Sequence, residues 1–346
     1  MNLEDRIAAF EKLGKYLSAI DEVEFRRIAT LAKNENSWFT EANVRLSLAS
    51  TGRFLNPLAL RQWIAPYHID HIHPKTIAVV MAGNIPMVGF HDVLCVLVSG
   101  HRLLAKLSSK DSTLMRTVIE KLIAIEPRFT DAIRFADILK GFDAVIATGS
   151  DNSARYFEFY FGRYPHIIRK NRTSCAILSG FETEVELVNL GQDVFSHFGL
   201  GCRNVSKLFV PEGYDFGTLF RSWEKYDEIM HHHKYHNNYD YQKSIMLLNR
   251  QDFLDTGYLL LQQSDKLVSP ISVLYFEYYR DWSALLEKLR DLKPKLQCVV
   301  GNVEAADVRI GQAQSPGLTD YADQIDTMKF LEGLGALPAV KASARA

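Results

Sequence analysis

TIAVVMAGNIPMVGFHDVLCVLVSG, residues 76–100, decides the fold class of this chain. Its first eight residues are a short apolar run that ends in glycine, which predicts a buried β-strand. The run that follows, from Met87, predicts a buried helix closed by Gly100, because glycine is the residue that most often ends a helix. The stretch is long enough to raise the question of a membrane span. Polar residues and a proline interrupt it, however, and these are Asn84, Pro86, His91 and Asp92. A strand, a turn and a helix therefore describe it better.

The same alternation continues along the chain. RLLAKLS (102–108) predicts a second strand, and DSTLMRTVIEKLIAI (111–125) predicts a helix that Asp111 or Ser112 caps. The next predicted elements are the strand FDAVIATG, a helix from about 152 to 161, and the strands HIIRK and SCAILSG. Strands that alternate with helices predict βαβ units and a parallel sheet covered on both faces.

The flanking regions are also predicted to be regular. Apolar residues recur at helical spacing from Leu3 to Ile20, and further helix extends to about residue 64. Beyond residue 183 the predicted elements are a helix over 184–199, the strand VSKLFVP, a helix over 216–230, the strand SIMLLN, a helix over 252–263, the strand VLYFEYY, a helix over 282–290 and the strand QCVVG. The tail ALPAVKASARA lacks periodicity and is predicted to be frayed.

Composition limits the class of protein. The chain has 346 residues, 47% of them hydrophobic, and a formal net charge of −1. It therefore lacks the basic excess that a nucleic-acid-binding protein uses to displace counterions. Its four cysteines are widely spaced, which favours reduced thiols over a disulfide framework or a zinc site. The charged, amphipathic N-terminal stretch does not resemble a signal peptide, so we expect a soluble cytoplasmic protein.

Three unusual groups of residues follow predicted strands. Asn84 follows the first, Lys106 lies near the end of the second, and Thr148, Gly149 and Ser150 end the third. Ligands of open parallel sheets bind beyond the carboxyl ends of the strands. An amide suits an oxyanion, an ammonium suits a ribose or phosphate, and a Gly-Ser turn before a helix suits a pyrophosphate. Each group alone also has a simpler explanation: a turn, a solvated strand end, or a helix N-cap.

Cys202 lies in FGLGCRNVSKLFVPEG (198–213), between a helix-like run and a strand-like run. Cysteine usually packs as a small buried hydrophobic residue, and we expect that of Cys175 and Cys298 inside their apolar strands. A cysteine in a glycine-flanked loop is also a candidate nucleophile. Both readings of Cys202 stay open on the local sequence alone.

Several motifs together resemble a known family. They are MAGNIPMVGFHD, LLAKLSSKD, AVIATGSDNSARYF, IIRKNRTSCAIL, FGLGCRNVSKLFVPEG and IGQAQSPGLTDYADQIDTMKFLEGL. In order and spacing they resemble the aldehyde dehydrogenase superfamily and, within it, the LuxC-type acyl-CoA reductases. The resemblance covers most of the chain from about residue 70.

The resemblance implies an α/β, aldehyde-dehydrogenase-like fold, with a Rossmann-like parallel sheet in a cofactor domain and a second α/β catalytic domain. The expected parts are an N-terminal helical segment (1–70), a cofactor-binding domain (71–190), a catalytic domain (191–310) and a C-terminal segment (311–346). It also implies association into a homo-oligomer.

By the same resemblance Cys202 is the nucleophile, and Asn84 with the backbone N–H of Cys202 holds the oxyanion. Lys106 matches the lysine at the adenosine ribose, while Gly149 and Ser150, after Thr148, match the turn under the cofactor pyrophosphate. The reaction expected is reduction of acyl-CoA, or another acyl thioester, to a fatty aldehyde through an acyl-cysteine.

Two departures from the family pattern refine this expectation. Hydrolytic relatives carry a water-activating glutamate in the motif where this chain reads Arg169, Lys170, Asn171 and Arg172. NAD-preferring relatives carry a glutamate where this chain has Ser109, so we expect NADPH as cofactor, with NADH also possible. The alternatives are an aldehyde dehydrogenase running toward acyl-CoA or acid, and an acyl-transfer or acyl-binding protein without productive cofactor use.

The remaining polar residues of interest are a histidine-rich stretch, His197 and a group of basic residues. We expect no metal at the histidine-rich stretch 230–244, because adjacent histidines on a helix do not face one ligand direction. His197 is either a cationic neighbour that lowers the pKa of Cys202 or a histidine on a helix surface. The basic residues Arg163, Arg169, Lys170 and Arg172 either meet phosphates of CoA or cofactor, or form a solvated face.

Overall fold

A computed structural model describes residues 1–70 and 72–335, so the tail 336–346 lies outside the described residues. The helices are α1 (Leu3–Ser18), α2 (Glu22–Glu35), α3 (Glu41–Phe54), α4 (Pro57–Ile64), α5 (Phe90–Val98), α6 (Ser112–Ile125), α7 (Asp151–Phe161), α8 (Glu184–Phe195), α9 (Phe216–Trp223), α10 (His233–Leu248), α11 (Trp282–Leu292) and α12 (Thr327–Gly335). The strands are β1 (Thr76–Val80), β2 (Arg102–Lys106), β3 (Ile133–Phe135), β4 (Ala144–Thr148), β5 (His166–Arg169), β6 (Thr173–Ile177), β7 (Val205–Pro211), β8 (Leu254–Asp255), β9 (Leu260–Gln263), β10 (Val273–Tyr279) and β11 (Leu296–Val300).

The chain forms two compact units, and the first contains a parallel sheet of five strands in the order β3-β2-β1-β4-β5. Every residue of the central strand β1 is buried, as its continuous apolar sequence predicts. The strand order reverses at β1, because β2 and β4 pair with its two sides. This reversal is the topological switch point at which open α/β sheets bind ligands.

The four N-terminal helices belong to this first unit, and side chains cap each of them. Asn2 forms a capping box with Asp5 at the start of α1, and Asp21, Thr40 and Asn56 cap the next three helices. The apolar stripe of α1 is buried in the same core as the residues of β1 and α5. The helical spacing in the sequence therefore predicts the packing face correctly.

The second unit is built on a six-stranded sheet in the order β11-β6-β7-β10-β9-β8. Its strands run parallel except for the two-residue strand β8, which lies antiparallel to β9. Several buried clusters cover this sheet: one contains Trp223 and Leu274, another contains Phe209 and Leu285, and another contains Leu260 and Tyr275. The second α/β domain expected from the sequence is therefore present as a mixed sheet.

Two predicted elements of the second unit are wrong. SIMLL is the last part of α10, and the asparagine that follows is its C-cap. Leu247 and Leu248 are exposed, and the buried residues of this helix are Tyr235, Tyr239 and Met246, on one helical face. The consecutive apolar letters imitate a buried strand. Residues 252–263 are not a helix but the short pair β8 and β9, joined at Gly257 with a φ of 90°.

The chain passes from the first unit to the second between Lys170 and Asn171, and returns at Gly317. The predicted division placed these boundaries after residues 190 and 310 instead. The difference at the first boundary follows from β6, which pairs with β7 and β11 of the second sheet. The returning segment belongs to the first unit, where His91 Nε2 lies 3.0 Å from the Leu318 carbonyl oxygen.

A buried ion pair joins distant parts of the first unit. Arg169, at the end of β5, donates to both carboxylate oxygens of Asp92 in α5, at 2.5 and 2.9 Å. Its second terminal nitrogen also donates to the Thr327 hydroxyl at the start of α12, at 2.9 Å. Both charged side chains are less than a tenth exposed. Each partner needs the other, because a charge buried without its counter-charge strongly destabilises the folded state.

We expect Arg169→Met to destabilise the protein by about 3–5 kcal/mol, because it leaves the Asp92 carboxylate buried without a counter-charge. The double variant Arg169→Met with Asp92→Leu removes both charges and should recover most of this loss. Urea unfolding followed by circular dichroism measures both. A single variant as stable as the wild type would show that the pair contributes nothing.

Candidate active site

The three groups of polar residues that follow strands lie at one edge of the first sheet. In the register of that sheet, Val80 at the end of β1 pairs with Lys106 on one side and with Ala147 on the other. Asn84 follows β1, Lys106 ends β2, and Thr148 ends β4. The structure therefore brings the cofactor residues and Asn84 of the sequence prediction to the carboxyl edge of three neighbouring strands.

The turn that carries Asn84 is fixed on both sides. Buried Asn36 donates to the Gly83 carbonyl oxygen at 3.2 Å, and the Met87 N–H donates to Asp111 at 2.8 Å. Gly83 has no room for a side chain, since a Cβ there would lie 2.5 Å from the Ser108 hydroxyl oxygen. Asn84 itself is exposed at the top of this turn.

Asp111 holds this turn rather than capping α6 with its side chain. It precedes the helix at the N-cap position but makes no capping bond, and Glu35 accepts from the N–H groups of Ser112 and Thr113 instead. Asp111 is 1% exposed, and burial raises the pKa of its carboxyl group to about 8. Met87, which it binds, has a φ of 63°, an uncommon value for a residue other than glycine.

The second strand end carries Lys106 and Ser109. Lys106 is half-buried, and its ammonium donates to the Asp137 carbonyl oxygen. Ser109, three residues further along, is exposed. The lysine is therefore held at the strand end by the loop after β3 rather than extending freely into solvent.

The third strand end is a close turn into α7. Ser150 is the N-cap of this helix, and its hydroxyl accepts from the Ser153 N–H at 3.2 Å. A Cβ at Gly149 would lie 2.8 Å from the Ser153 Cβ and 2.9 Å from the Phe157 ring. Only glycine therefore fits between β4 and this helix, and the helix N-terminus directs its N–H groups toward the sheet edge.

Cys202 belongs to the second unit and lies in a loop between α8 and β7. The predicted helix over 184–199 ends at Phe195, because His197, Phe198 and Gly199 have φ angles of 51°, 59° and 75°. Three successive residues in the left-handed region turn the chain sharply away from the helix axis. The half-buried Cys202 follows, three residues before β7 begins.

The other three cysteines lie in a different environment. Cys95, Cys175 and Cys298 are at most 2% exposed, and burial raises the pKa of each thiol. The expectation that Cys175 and Cys298 are core residues is confirmed. Among the four, all within the described residues, Cys202 is the one that is not buried.

Asn204 and Ser174, neither of them predicted from the sequence, hold the Cys202 loop. The Asn204 side chain accepts from the Gly201 N–H at 2.8 Å and donates to the Ser196 carbonyl oxygen at 2.8 Å. The Ser174 hydroxyl donates to the Cys202 carbonyl oxygen at 3.0 Å. The motif that contains Cys202 includes Asn204, but an asparagine after a loop has no distinguishing pattern in sequence.

No protein-family model matches the sequence, and no curated protein matches it as a relative. Solved structures do match. Aldehyde dehydrogenase 21 from Physcomitrella patens, in complex with the reaction product succinate, has a TM-score of 0.72 at 13% identity, over 97% of this chain and 85% of that one. An NAD-dependent aldehyde dehydrogenase from Sinorhizobium meliloti has a TM-score of 0.66 at 12% identity, over 88% and 72%. An NAD⁺ complex of the aldehyde dehydrogenase from Bacillus cereus has a TM-score of 0.60 at 12% identity, over 87% and 72%.

The chain has the aldehyde dehydrogenase fold. This confirms the fold class expected from the sequence, with a Rossmann-like parallel sheet and a second α/β unit. In this fold the first sheet of the chain carries Asn84, Lys106, Ser109 and the turn at Thr148, Gly149 and Ser150, whereas the second unit carries Cys202. The individual roles of these residues stay predictions.

Both readings of His197 are wrong. It lies in the left-handed turn rather than on a helix surface, and it is 7% exposed. Burial lowers its pKa to about 4, so its imidazole is neutral at physiological pH and provides no positive charge beside Cys202.

The basic residues near the passage between the units do not act as one group. Arg169 is buried with Asp92, whereas the exposed Lys170 pairs with Glu158 at 3.0 Å. Arg172 donates to the Leu296 carbonyl oxygen at 3.0 Å. For Arg169, neither a phosphate contact nor a solvated face describes the side chain.

Within residues 1–70 and 72–335, no cluster of three histidine, cysteine or acidic side chains is arranged to hold a metal ion. No helix in these residues has the length and apolar character needed to cross a bilayer, and the apolar helix α5 has nine residues.

We expect Asp111→Asn to become progressively more stable relative to the wild type as pH rises from 5 to 8. The pKa of Asp111 is raised from 3.8 in the unfolded chain to about 8 in the folded one. Its stabilising contribution is therefore complete below about pH 4 and is lost as pH rises toward 8, by about 1.4 kcal/mol for each pH unit. The asparagine keeps an acceptor for the Met87 N–H and never ionises.

Urea unfolding at several pH values measures this difference, and the exposed Asp131→Asn is the matched control for loss of one carboxylate. A difference between Asp111→Asn and wild type that does not change with pH would contradict the raised pKa.

Proposed function

We propose that this protein is an acyl-CoA reductase of the LuxC type, which forms a fatty aldehyde through an acyl-Cys202 intermediate. One acyl thioester, one NADPH and one proton would give one aldehyde, one free thiol and NADP⁺. The observation that carries the proposal is the contrast among the four cysteines, since only Cys202 is accessible on a glycine-flanked loop. The aldehyde dehydrogenase fold and the family motifs support it.

The chemistry assigned to Cys202 begins with its thiolate, the nucleophilic form of the side chain. The sulfur attacks the thioester carbonyl carbon, and the bond from that carbon to the thiol of CoA breaks. The leaving thiolate takes up a proton, and the acyl group remains on Cys202. In this proposal Asn84 and the backbone N–H of Cys202 stabilise the oxyanion formed during the attack.

The carboxyl edge of the first sheet fits a dinucleotide cofactor. Gly149 lets β4 turn directly into α7, because a Cβ there would meet the side chains of Ser153 and Phe157, and Ser150 begins this helix, whose N-terminus suits a pyrophosphate. Lys106 and Ser109 at the neighbouring strand end would bind the adenosine ribose and its 2′-phosphate. Bound there, NADPH would supply the hydride that converts the acyl-Cys202 thioester into aldehyde.

The surroundings of Arg169 support reduction over hydrolysis. The motif where hydrolytic relatives have their water-activating glutamate reads Arg169, Lys170, Asn171 and Arg172 in this chain and contains no carboxylate. Asp92, which Arg169 binds through both carboxylate oxygens, is committed to that ion pair and is not available as a general base for water. An acyl-Cys202 thioester would therefore persist long enough to be reduced or to return to a thiol.

We expect the wild type, mixed with acyl-CoA and no cofactor, to gain one acyl group on the peptide that contains Cys202, as seen by mass spectrometry. Addition of NADPH should then decrease the nicotinamide absorbance and release aldehyde. Cys202→Ala should abolish both steps because each needs the sulfur, while the buried-cysteine variant Cys95→Ala should keep both.

Other results separate the alternatives. An acyl adduct without loss of nicotinamide absorbance would indicate an acyl-transfer or acyl-binding protein. Acid formed from aldehyde and NAD⁺ without CoA would indicate a hydrolytic aldehyde dehydrogenase. An adduct on Cys175 or Cys298 would overturn the assignment of the nucleophile.

We expect Ser109→Glu to raise the KM for NADPH about fivefold more than the KM for NADH, since a new carboxylate would repel the 2′-phosphate that NADPH carries and NADH lacks. This corresponds to roughly 1 kcal/mol for two charges screened by water. Ser109→Gln is the uncharged control of the same size and should affect both cofactors alike. Equal effects of Ser109→Glu on both KM values would show that residue 109 does not face the 2′ position.

A further inference from the structure

Hydrogen bonds fix three successive peptide groups around Cys202. The peptide between Leu200 and Gly201 donates its N–H to the Asn204 side chain at 2.8 Å. The peptide between Gly201 and Cys202 accepts at its carbonyl oxygen from the Asn204 backbone N–H, at 3.1 Å. The peptide between Cys202 and Arg203 accepts from the Ser174 hydroxyl at 3.0 Å.

The middle peptide determines where the Cys202 N–H points. In a trans peptide the carbonyl and the N–H lie in one plane and point in opposite directions. The described part of the chain has no cis peptide bond, so the Gly201 carbonyl and the Cys202 N–H are opposed in this way. Since the Gly201 carbonyl points at Asn204, the Cys202 N–H must point away from it.

Asn204 is itself held rigidly. It is 2% exposed, and its amide nitrogen donates to the carbonyl oxygens of Asp193, Val194 and Ser196 at 3.2, 3.3 and 2.8 Å. These carbonyls lie at the end of α8, where the helix itself offers no donors. One buried side chain thus joins the helix end to the loop that carries the sulfur.

We propose that Asn204 is a positioning residue that orients the Cys202 N–H as an oxyanion donor, with Ser174 holding the next peptide in place. This inference rests on the proposed role of Cys202 as the nucleophile. An oxyanion donor is effective when its direction is fixed before the reaction, because no reorganisation is then needed as charge develops. Asn204 supplies that fixed direction without touching the substrate.

Two reagents that react with Cys202 test the proposal. p-Nitrophenyl acetate acylates the sulfur through an oxyanion, whereas iodoacetamide alkylates it without one. We expect Asn204→Ala to lower the acylation rate about 10- to 100-fold, somewhat less than the loss of a whole oxyanion donor. Alkylation should stay within about threefold of wild type. Ser174→Ala should act in the same direction by about tenfold, as expected for one hydrogen bond.

Asn302→Ala is the matched control. This asparagine of the same unit also joins separate segments, since it donates to Glu186 in α8 at 2.6 Å and accepts from the Ile310 N–H at 3.4 Å. It should change neither rate. A general loss of structure in the loop would lower acylation and alkylation together.

The inference is overturned if acylation and alkylation fall in parallel, or if acylation is unchanged, in Asn204→Ala. If that variant does not fold, the ratio of the two rates in Ser174→Ala decides in the same way. A wild type that iodoacetamide labels at Cys202 but that neither p-nitrophenyl acetate nor acyl-CoA acylates would overturn the proposed function itself. If the wild type is acylated normally and the variants match it, the proposed function stands and only the role of Asn204 is overturned.

Discussion

Two opposite charges buried together organise the first unit. The Arg169 guanidinium binds Asp92 in α5 and Thr327 in α12. One side chain at the end of β5 therefore connects this strand to two helices that are far apart in sequence. Removing such charges from water is unfavourable unless each is paired and hydrogen-bonded, and this requirement restricts where the three elements can lie. The Arg169 side chain therefore joins β5, the last strand before the second unit, to α12, the last described helix.

The same pair has a chemical consequence. Asp92 uses both carboxylate oxygens on Arg169, so this carboxylate is committed to the ion pair. Under the proposed function, this pairing and the lack of a carboxylate at residues 169–172 both favour an acyl-enzyme that water does not discharge.

Burial also decides which titratable groups are available for reaction. Cys95, Cys175 and Cys298 are kept as thiols by their apolar surroundings, which raise the pKa of each. Burial likewise keeps His197 neutral by lowering its pKa, and it raises the pKa of Asp111. These groups support the fold as neutral side chains. Cys202 is half-buried, which suits the nucleophile of the proposed function.

By itself, the sequence determined the elements whose signal is local. The apolar run of β1, the helical spacing of α1 and the glycines at 83 and 149 specified strand, helix and turn, because each depends on neighbours a few residues away. The parallel direction of the strands in the first sheet then followed from the alternation of strands and helices. The strand predicted at SIMLLN is wrong, because the consecutive apolar residues of α10 include two exposed leucines and exposure depends on what the rest of the chain covers.

Only the tertiary structure decided which side chains meet. The bonds of Asn204 to Gly201 and the end of α8, and of Asp111 to Met87, join residues whose pairing leaves no periodic pattern. The partners of Arg169 lie 77 and 158 residues away in the chain. Such contacts and the burial that shifts each pKa are properties of the packed molecule, because they arise only when distant segments exclude water from one another.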